Sequence, residues 1–281
     1  MHIGTALLDP SSPAEVAAAA ADAADRGFAG FWTNQKPAGW DPLTLLASLR
    51  RRPPEIGTAI VATYPRHPVT TAAEALTLQA TAGGVVLGVG PSHAWYVREQ
   101  LGLGYTSPLR HTREYLTILR ALLHGEPVRF EGEFFTVDTR LEITAPAPAL
   151  LLSALGPRML ELAGDLADGV VVTWATPRMI AESITPRAAP GARVVAQLIT
   201  LLSPDPDRAR AELAGRLTAV GQLPAYRASL GRAGLAGPAD TVVIGDETAI
   251  ADALKRYEDA GVTDLVVSPL NERSATLDLV T

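Results

Sequence analysis

The sequence predicts a (β/α)8 barrel, and three observations support this prediction. Eight short apolar runs recur along the 281 residues, a helical pattern follows each run, and the first four runs are spaced by roughly 26–28 residues. The runs lack polar alternation, which is typical of parallel strands buried on both faces. Eight such units favour a closed barrel. The runs begin near Ile3, Ala29, Gly57, Val85, Ala149, Gly169, Val194 and Leu265.

In the first half of the chain, the helical segments begin at recognisable start signals. Ser12 can cap an Ala-rich helix over Ser12–Arg26, and prolines open the segments Pro42–Arg50 and Pro68–Ala82. A further helix is predicted over Leu109–His124. Between this helix and the fifth strand, the stretch VRFEGEFFTVD predicts a small hairpin that turns at Glu131-Gly132.

In the second half, helices are predicted over Pro157–Leu166 and Pro177–Ser183. The long interval between the seventh and eighth strands contains two polar-faced helices, DPDRARAELAGRL and PAYRASLGRAGL. Asp246 is expected to cap a helix over Thr248–Ala260, and Gly261 to end it. Insertions of this kind lie on the loop face of a barrel, where active sites also lie. No linker interrupts the pattern, so we expect one domain over residues 1–281.

Composition and charge exclude several classes of function. With 24 basic and 30 acidic residues the net charge is −6, and no basic run is found beyond Arg50–Arg52, so nucleic acid and anionic membranes are not expected partners. There is no cysteine, which excludes disulfides and thiolate nucleophiles. The five histidines lack metal-ligand spacing, so no metal is expected. The start, MHIGTALLDP, resembles no signal peptide, and we expect a cytoplasmic protein.

Several catalytic motifs are absent from the sequence. No G-x-G-x-x-G and no Walker loop are present, so a Rossmann or P-loop site is not predicted. The stretch GPSHA lacks the last glycine of a nucleophile elbow, which leaves a hydrolase built on Ser92 as a minor alternative. No close pair of carboxylates follows the strands, so a glycosidase pair is not indicated.

The joint between the fifth strand and its helix is a candidate anion site. It consists of Ala154, Leu155, Gly156, Pro157 and Arg158. A helix start has free N–H groups and a partial positive charge, both of which attract phosphate or carboxylate. The alternative interpretation is a plain strand-to-helix turn that binds only water.

Polar and aromatic residues follow four other strands at the same rim of the predicted barrel. Gly88 and Gly90, on the fourth strand, would leave room for a flat ring against the backbone. Residues expected at the rim are Trp32, Asn34 and Gln35 after the second strand, Tyr64, Arg66 and His67 after the third, Ser92, His93, Trp95 and Tyr96 after the fourth, and Thr173, Trp174 and Thr176 after the sixth.

These stretches resemble the bacterial luciferase-like superfamily and, within it, the deazaflavin-dependent (coenzyme F-420) oxidoreductases of actinobacteria. The similarity lies in GFAGFWTNQ, IGTAIVATYPRHP, EALTLQATAGG, LGVGPSH, HTREYLTILRALLHGEPVRFEGEFF, LLLSALGPRMLELAGDLADGVVVTW and GPADTVVIGDETAI, in family order over nearly the whole chain. Two departures are the stretch GGVVLG, which lacks an arginine common in relatives, and a short ITPRAAPGARVVAQL.

The resemblance implies a role for each group of rim residues. Val61, Ala62 and Thr63 would form a bulge behind the deazaflavin ring, often with a cis peptide. Gly88, Val89 and Gly90 would line the ring, and the phosphate with its linker would contact Ala154, Leu155, Gly156, Pro157, Thr173 and Trp174. Trp32, Asn34, Gln35 and Trp95 would face the substrate, as would Tyr64. His93 is the first candidate for the proton donor, with Tyr64 and Glu99 in reserve.

The resemblance implies hydride transfer between the reduced cofactor and an electron-poor C=C, C=N or C=O of a small molecule, natural-product intermediate or peptide. Two alternatives remain open: an FMN-dependent monooxygenase, and a non-catalytic protein that binds flavin or deazaflavin. Homodimers are common in the superfamily, which makes a second copy of the chain a candidate partner.

Overall fold

All eight predicted strands form and pair into one closed parallel sheet in the computed structural model, which describes residues 1–281. The third strand is interrupted and resumes as a two-residue segment, β4. The strands are β1 (His2–Ala6), β2 (Gly30–Thr33), β3 (Glu55–Thr58), β4 (Val61–Ala62), β5 (Val85–Gly90), β6 (Val128–Glu131), β7 (Thr136–Thr139), β8 (Ala149–Ser153), β9 (Gly169–Val172), β10 (Arg193–Leu202), β11 (Val243–Gly245) and β12 (Asp264–Pro269). The barrel order is β1-β2-β3-β5-β8-β9-β10-β12, and β12 pairs with β1.

The helices cover the outside of the sheet, and most begin within a residue of the predicted start. They are α1 (Pro13–Asp25), α2 (Pro42–Ala47), α3 (Pro68–Ala82), α4 (Pro108–Leu123), α5 (Pro157–Leu166), α6 (Pro177–Met179), α7 (Pro206–Arg216), α8 (Thr218–Gly221), α9 (Pro224–Arg232), α10 (Glu247–Asp259) and α11 (Arg273–Asp278). The predicted caps Ser12 and Asp246 accept backbone N–H bonds of α1 and α10. None of the helices is both long and apolar enough to cross a bilayer.

Two helices differ from the prediction. The helix α2 ends at Ala47 rather than Arg50, where the N–H of Ser48 is shared between the Thr44 and Leu45 carbonyls. Pro53 also disfavours helical backbone at the residue before it. The helix α6 is a single turn that continues as a π-helical turn over Ile180–Ile184.

Both insertions form, with two differences from the prediction: the hairpin turns over residues 132–135 rather than at Glu131-Gly132, and the second insertion contains a third short helix, α8, besides the two predicted. The strands β6 and β7 are an antiparallel hairpin, and the Glu114 carboxylate fixes its turn by accepting the N–H groups of Glu133 (3.0 Å) and Phe134 (2.9 Å). The helices α7, α8 and α9 follow β10 and lie at the mouth of the barrel. A small apolar cluster that includes Ile199, Leu213 and Ile244 holds this insertion to the sheet.

A packed apolar layer closes the interior of the barrel below its mouth. Trp32, predicted to face a substrate, lies in this layer at 2% exposure. A Cβ at Gly57 would approach the Trp32 ring to 2.4 Å, so a residue without a side chain opposite makes space for the indole. The prediction that Trp32 faces a substrate is therefore wrong: its side chain packs in this interior layer and does not line the cavity. The layer comprises Ala6, Trp32, Val86, Leu151, Val171, Val195 and Val266.

A charged network closes the opposite, amino-terminal end of the barrel. The Arg193 guanidinium donates to both Glu55 oxygens (3.1 and 2.8 Å) and to both Asp264 oxygens (3.1 and 2.5 Å). Burial raises the pKa of Asp264, but hydrogen bonds from Arg193 and Thr263 outweigh burial and hold that pKa below its usual value. The network joins the starts of β3, β10 and β12.

Candidate active site

A cavity of about 820 Å³ opens at the carboxyl-terminal mouth of the barrel. Loops that follow the strands form three of its sides, and α8 and α9 of the insertion form the fourth. The volume lies within the range of about 300–1,000 Å³ that is typical of small-molecule sites. The structure brings together nine of the predicted site residues here: Asn34, Gln35, Gly90, His93, Trp95, Leu155, Gly156, Pro157 and Trp174.

Two predicted catalytic residues lie outside the cavity lining. The Tyr64 ring stacks on His111 with 3.8 Å between ring centroids, and its hydroxyl donates to the Thr106 carbonyl at 2.8 Å. Tyr64 is therefore part of an aromatic cluster beside the cavity. Glu99 is exposed on a π-helical turn over Tyr96–Gln100. Neither side chain therefore contacts the cavity in this structure, and both stay reserve candidates for the proton donor.

The bulge on the third strand lies two residues earlier than predicted. Ala59 and Ile60 form the cavity wall, and the peptide bond between them is cis. Val61, Ala62 and Thr63 are buried behind this wall, because Val61 and Ala62 already pair with Val89 and Gly90 of β5.

Gln35 holds this wall in place. Its backbone N–H donates to the Ile60 carbonyl at 2.9 Å, and its Oε1 accepts the Ala62 N–H at 3.0 Å. Gln35 thus bonds to the bulge through its backbone, at Ile60, and to the resumed strand β4 through its side chain, at Ala62. The neighbouring Asn34 has a buried Oδ1 with no hydrogen-bond partner, so an acceptor remains available at the cavity.

Only one of the three predicted ring-lining residues on β5 reaches the cavity. Gly90 lines it, and a Cβ there would contact Ser153 at 3.1 Å. At Gly88 a Cβ would lie 2.1 Å from the Thr58 carbonyl oxygen, so that glycine allows β3 and β5 to approach rather than leaving space for a ligand. Val89 points the other way, into the core between strands and helices.

Two predicted phosphate-binding residues also lie outside the lining. Ala154 is 1% exposed and packs in the core, because it ends a strand whose side chains alternate between the two faces. The Thr173 hydroxyl lies inside the barrel and donates to the Gln197 Oε1 at 2.5 Å. The Nε2 of the same glutamine donates to the Ser268 hydroxyl at 3.1 Å.

The start of α5 presents unpaired hydrogen-bond donors to the cavity. The N–H groups of Leu155, Gly156 and Arg158 donate to no acceptor in the protein, and no side chain caps the helix. Gly156, Pro157 and Arg158 all line the cavity, and Arg158 forms no ion pair. Several free amides, a helix dipole and a guanidinium at one cavity are the kinds of donor that attract an anion, so the predicted anion site stays a prediction.

Two ionisable rings of the cavity lining pack against each other. His93 and Tyr226 pack edge to face with 5.2 Å between ring centroids. Burial lowers the pKa of His93 and raises the pKa of Tyr226 to about 12, so both rings are neutral near pH 7. Asp9 supplies the only carboxylate of the lining, and it pairs with Lys36 at 3.3 Å.

Left-handed backbone is concentrated at this end of the barrel. Six non-glycine residues have positive φ, and three of them, Asp9, Ser92 and Trp174, line the cavity. Such conformations are uncommon for residues with a side chain and cluster at functional sites.

The insertion was expected on the loop face of the barrel, but none of its residues was predicted to line the site. Tyr226 and Arg232 of α9 line the cavity, and Arg232 donates to the Leu155 carbonyl at 2.8 Å, which ties the insertion to the start of α5. The stretch PAYRASLGRAGL predicts a helix, but nothing in it indicates which part of the barrel that helix contacts.

Comparison with known proteins identifies relatives over most of the chain. The family described as luciferase-like monooxygenase matches residues 1–264. A 5,10-methylenetetrahydromethanopterin reductase of Archaeoglobus fulgidus is 31% identical over 161 residues, which are 56% of this chain and 48% of the reductase. The matched stretch thus spans about half the length of this relative.

Solved structures share the fold at lower identity. The coenzyme F-420-dependent tetrahydromethanopterin reductase of Methanopyrus kandleri superposes with a TM-score of 0.77 at 20% identity, over 99% of this chain and 96% of the reductase. The oxygenating constituent of 3,6-diketocamphane monooxygenase from Pseudomonas putida, solved with FMN, has a TM-score of 0.73 at 14% identity, over 100% and 97% of the two chains.

Proposed function

The chain belongs to the luciferase-like monooxygenase family, and from this premise we propose that it is a coenzyme F-420-dependent oxidoreductase acting on a small molecule. The observation that carries the proposal is the set of unpaired N–H groups of Leu155, Gly156 and Arg158 at one end of the cavity. These donors fit a phosphate group, which the deazaflavin cofactor carries on its side chain.

Another part of the cavity lining fits a flat ring. Gly90 contributes no side chain, and the Ala59–Ile60 bulge, held by Gln35, gives a wall of backbone and small apolar groups. The buried Asn34 Oδ1 can accept a hydrogen bond from a ring N–H. A bound reduced deazaflavin supplies hydride chemistry. The residues of the chain bind its phosphate, support the ring and exclude water.

His93 is the proposed proton donor to the substrate. It lines the cavity, and burial lowers its pKa, so its protonated form becomes less abundant as the pH rises through that lowered pKa. A reduction that needs this proton should therefore be faster at acidic pH. Tyr226, whose phenol stays protonated because burial raises its pKa to about 12, can orient the substrate by donating a hydrogen bond.

Titration of the apo-protein with the oxidised deazaflavin and with FMN tests the proposal. We expect the deazaflavin to bind at least about tenfold more tightly, a difference of roughly 1.4 kcal/mol. Tighter FMN binding with oxygen-dependent turnover would instead indicate a monooxygenase. Tight deazaflavin binding without hydride transfer to a broad panel of enones, imines and ketones would indicate a non-catalytic carrier.

A further inference from the structure

The insertion forms one wall of the cavity, and this wall is almost free of charge. Six residues of α8, α9 and the link between them line the cavity, and we name them the insertion wall: Val220, Leu223, Ala225, Tyr226, Ala228 and Arg232. Four of them are aliphatic, and burial raises the pKa of Tyr226 to about 12, so its phenol is neutral near pH 7. Arg232 is therefore the only charged member of the wall.

The two faces of α9 differ in polarity. Ala225, Ala228 and Arg232 are spaced i, i+3 and i+7, which places them on one face of the helix. Arg227 does not line the cavity, and it lines instead a separate hollow of about 400 Å³ that residues of α7, α8 and α9 enclose. The alanine side chains end at Cβ, so the cavity side of α9 offers space and apolar contact.

Each charged side chain of the cavity lining already has a partner or a proposed role. Arg232 donates to the Leu155 carbonyl at 2.8 Å, and Asp9 pairs with Lys36 at 3.3 Å. Arg158 is the cation of the proposed phosphate site. No charge of the lining is left to neutralise a carboxylate or an ammonium group on a substrate. A charged group that enters this cavity therefore loses hydration without compensation.

A substrate that takes a proton from His93 has to lie beside the insertion wall. The His93 ring packs against the Tyr226 ring with 5.2 Å between centroids, so a molecule within hydrogen-bond reach of His93 lies next to α9. We infer that the insertion wall selects substrates whose body, beyond the group that is reduced, is apolar and uncharged. The inference rests on the proposed function and deepens it, because it narrows the substrate to a chemical class and assigns Ala225 and Ala228 as residues that determine specificity.

Three ketones of one shape test the inference. Each is an aryl methyl ketone with an isobutyl, a carboxymethyl or an amidinomethyl group in the para position, so the body is neutral, anionic or cationic at nearly constant size. Calorimetry on the protein loaded with the oxidised deazaflavin gives the dissociation constant of each ketone without turnover. We expect the isobutyl form to bind at least about tenfold more tightly than either charged form. A charged form that binds as tightly as the isobutyl form, or an isobutyl form that does not bind, would overturn the inference.

Charged substitutions on the cavity side of α9 should reverse this order. Ala228→Glu should make the amidinomethyl form the tightest ligand, and Ala228→Lys should do the same for the carboxymethyl form. If Ala228→Glu fails to fold, Ala225→Glu on the same helix face can be measured instead. The matched controls Ala219→Glu and Ala219→Lys change an exposed residue of α8 that lines neither the cavity nor the hollow, and they should keep the wild-type order. The wild-type order in both Ala228 variants would overturn the inference.

The loading step separates this inference from the proposed function. A protein that takes up FMN but not the deazaflavin would contradict the proposed function, and the order of the three ketones on the FMN-loaded protein would still decide the inference. Equal binding of the three ketones to the deazaflavin-loaded protein would overturn the inference alone.

Discussion

At the amino-terminal end of the barrel, Arg193 donates four hydrogen bonds to the carboxylates of Glu55 and Asp264, whereas at the mouth the amides of Gly156 and Arg158 have no acceptor in the protein. Both ends are rich in polar groups, but only the first satisfies them internally. In a (β/α)8 barrel the amino-terminal face supports stability and the carboxyl-terminal face carries the site. The polar groups here follow this division.

The unpaired donors are found at the mouth and not at the amino-terminal end. Burying a donor without an acceptor costs free energy, because the donor gives up its hydrogen bond to water. A folded protein therefore keeps such donors mainly where they face a cavity that solvent or a ligand can enter. The amides of α5 satisfy this condition. If the comparison is correct, substitutions at the two ends will have separable effects: on unfolding at one end, and on binding at the other.

The largest effect is expected for Arg193→Met, which leaves two carboxylates close together without their cation. We expect the free energy of unfolding to fall by about 4 kcal/mol, because removing one partner of a largely buried ion pair leaves uncompensated charge. Urea unfolding measures the loss. The exposed Arg187→Met should change stability by less than about 0.5 kcal/mol. If Arg193→Met fails to fold, the milder variant Glu55→Gln can be measured instead, and it should also lower the free energy of unfolding.

His111 has an unpaired ring nitrogen near the mouth but does not line the cavity, so its effect is expected on stability rather than on binding. Its Nδ1 has no partner, and burial in the aromatic cluster lowers its pKa to about 4. The unfolded histidine titrates near 6.5, so between about pH 6.5 and 4 the unfolded chain binds a proton that the folded chain excludes. Stability should be complete above that window and fall by about 3 kcal/mol across it.

Unfolding measured against pH checks this expectation for His111. His111→Phe should flatten the acid side of the curve, since the aromatic packing remains and the titrating group is gone. The matched control His124→Phe removes an exposed histidine and should leave the slope unchanged. An unchanged slope in His111→Phe would contradict the assignment.

At the mouth, His93→Gln should lower the turnover of a hydride-transfer substrate at acidic pH by about 100-fold, the order typical of a lost general acid. Cofactor affinity should stay within about twofold, because His93 is not among the proposed phosphate contacts. Steady-state kinetics and titration separate the two quantities. Full turnover in His93→Gln would transfer the proton-donor role to another group of the lining, such as Tyr226, whose ring packs against His93.

Gly156→Asp gives the smallest and most diagnostic effect, because stability and binding should move in opposite directions. A Cβ at Gly156 meets no atom within 4 Å, and its extended backbone suits a helix cap. An aspartate should stabilise α5 by about 0.5 kcal/mol. The same carboxylate occupies the proposed anion site and should weaken cofactor binding by roughly tenfold.

Gly156→Asn is the uncharged control for this substitution. It can cap the helix without repelling a phosphate, so it should keep more of the affinity than Gly156→Asp does. Equal losses in the two variants would indicate that bulk rather than charge is responsible, and would argue against an anion at this helix start.

Local patterns made most of the fold predictable. The eight strand starts, the hairpin and the caps Ser12 and Asp246 depend on short stretches of sequence, and the structure confirms them. Side-chain direction depends on neighbours that the sequence does not specify. Trp32 points into the barrel because Gly57 makes space for it, and Tyr64 leaves the cavity because His111 offers a stacking partner.

The candidate site was predictable where it depends on strand ends and not where it depends on distant packing. Gly90, His93 and Gly156 follow their strands directly and lie at the cavity as expected. The bulge falls at Ala59–Ile60 because β4 pairs with the end of β5, a contact between strands. Tyr226 reaches the site only through the packing of the insertion on the mouth, so no local pattern could have indicated it.

A crystal structure of the protein with the oxidised deazaflavin would test the central claim most directly. We expect phosphate oxygens at hydrogen-bond distance, about 2.7–3.2 Å, from the amides of Gly156 and Arg158, with the ring against the Ala59–Ile60 wall. A cofactor bound elsewhere, or a phosphate that leaves those amides without an acceptor, would contradict it.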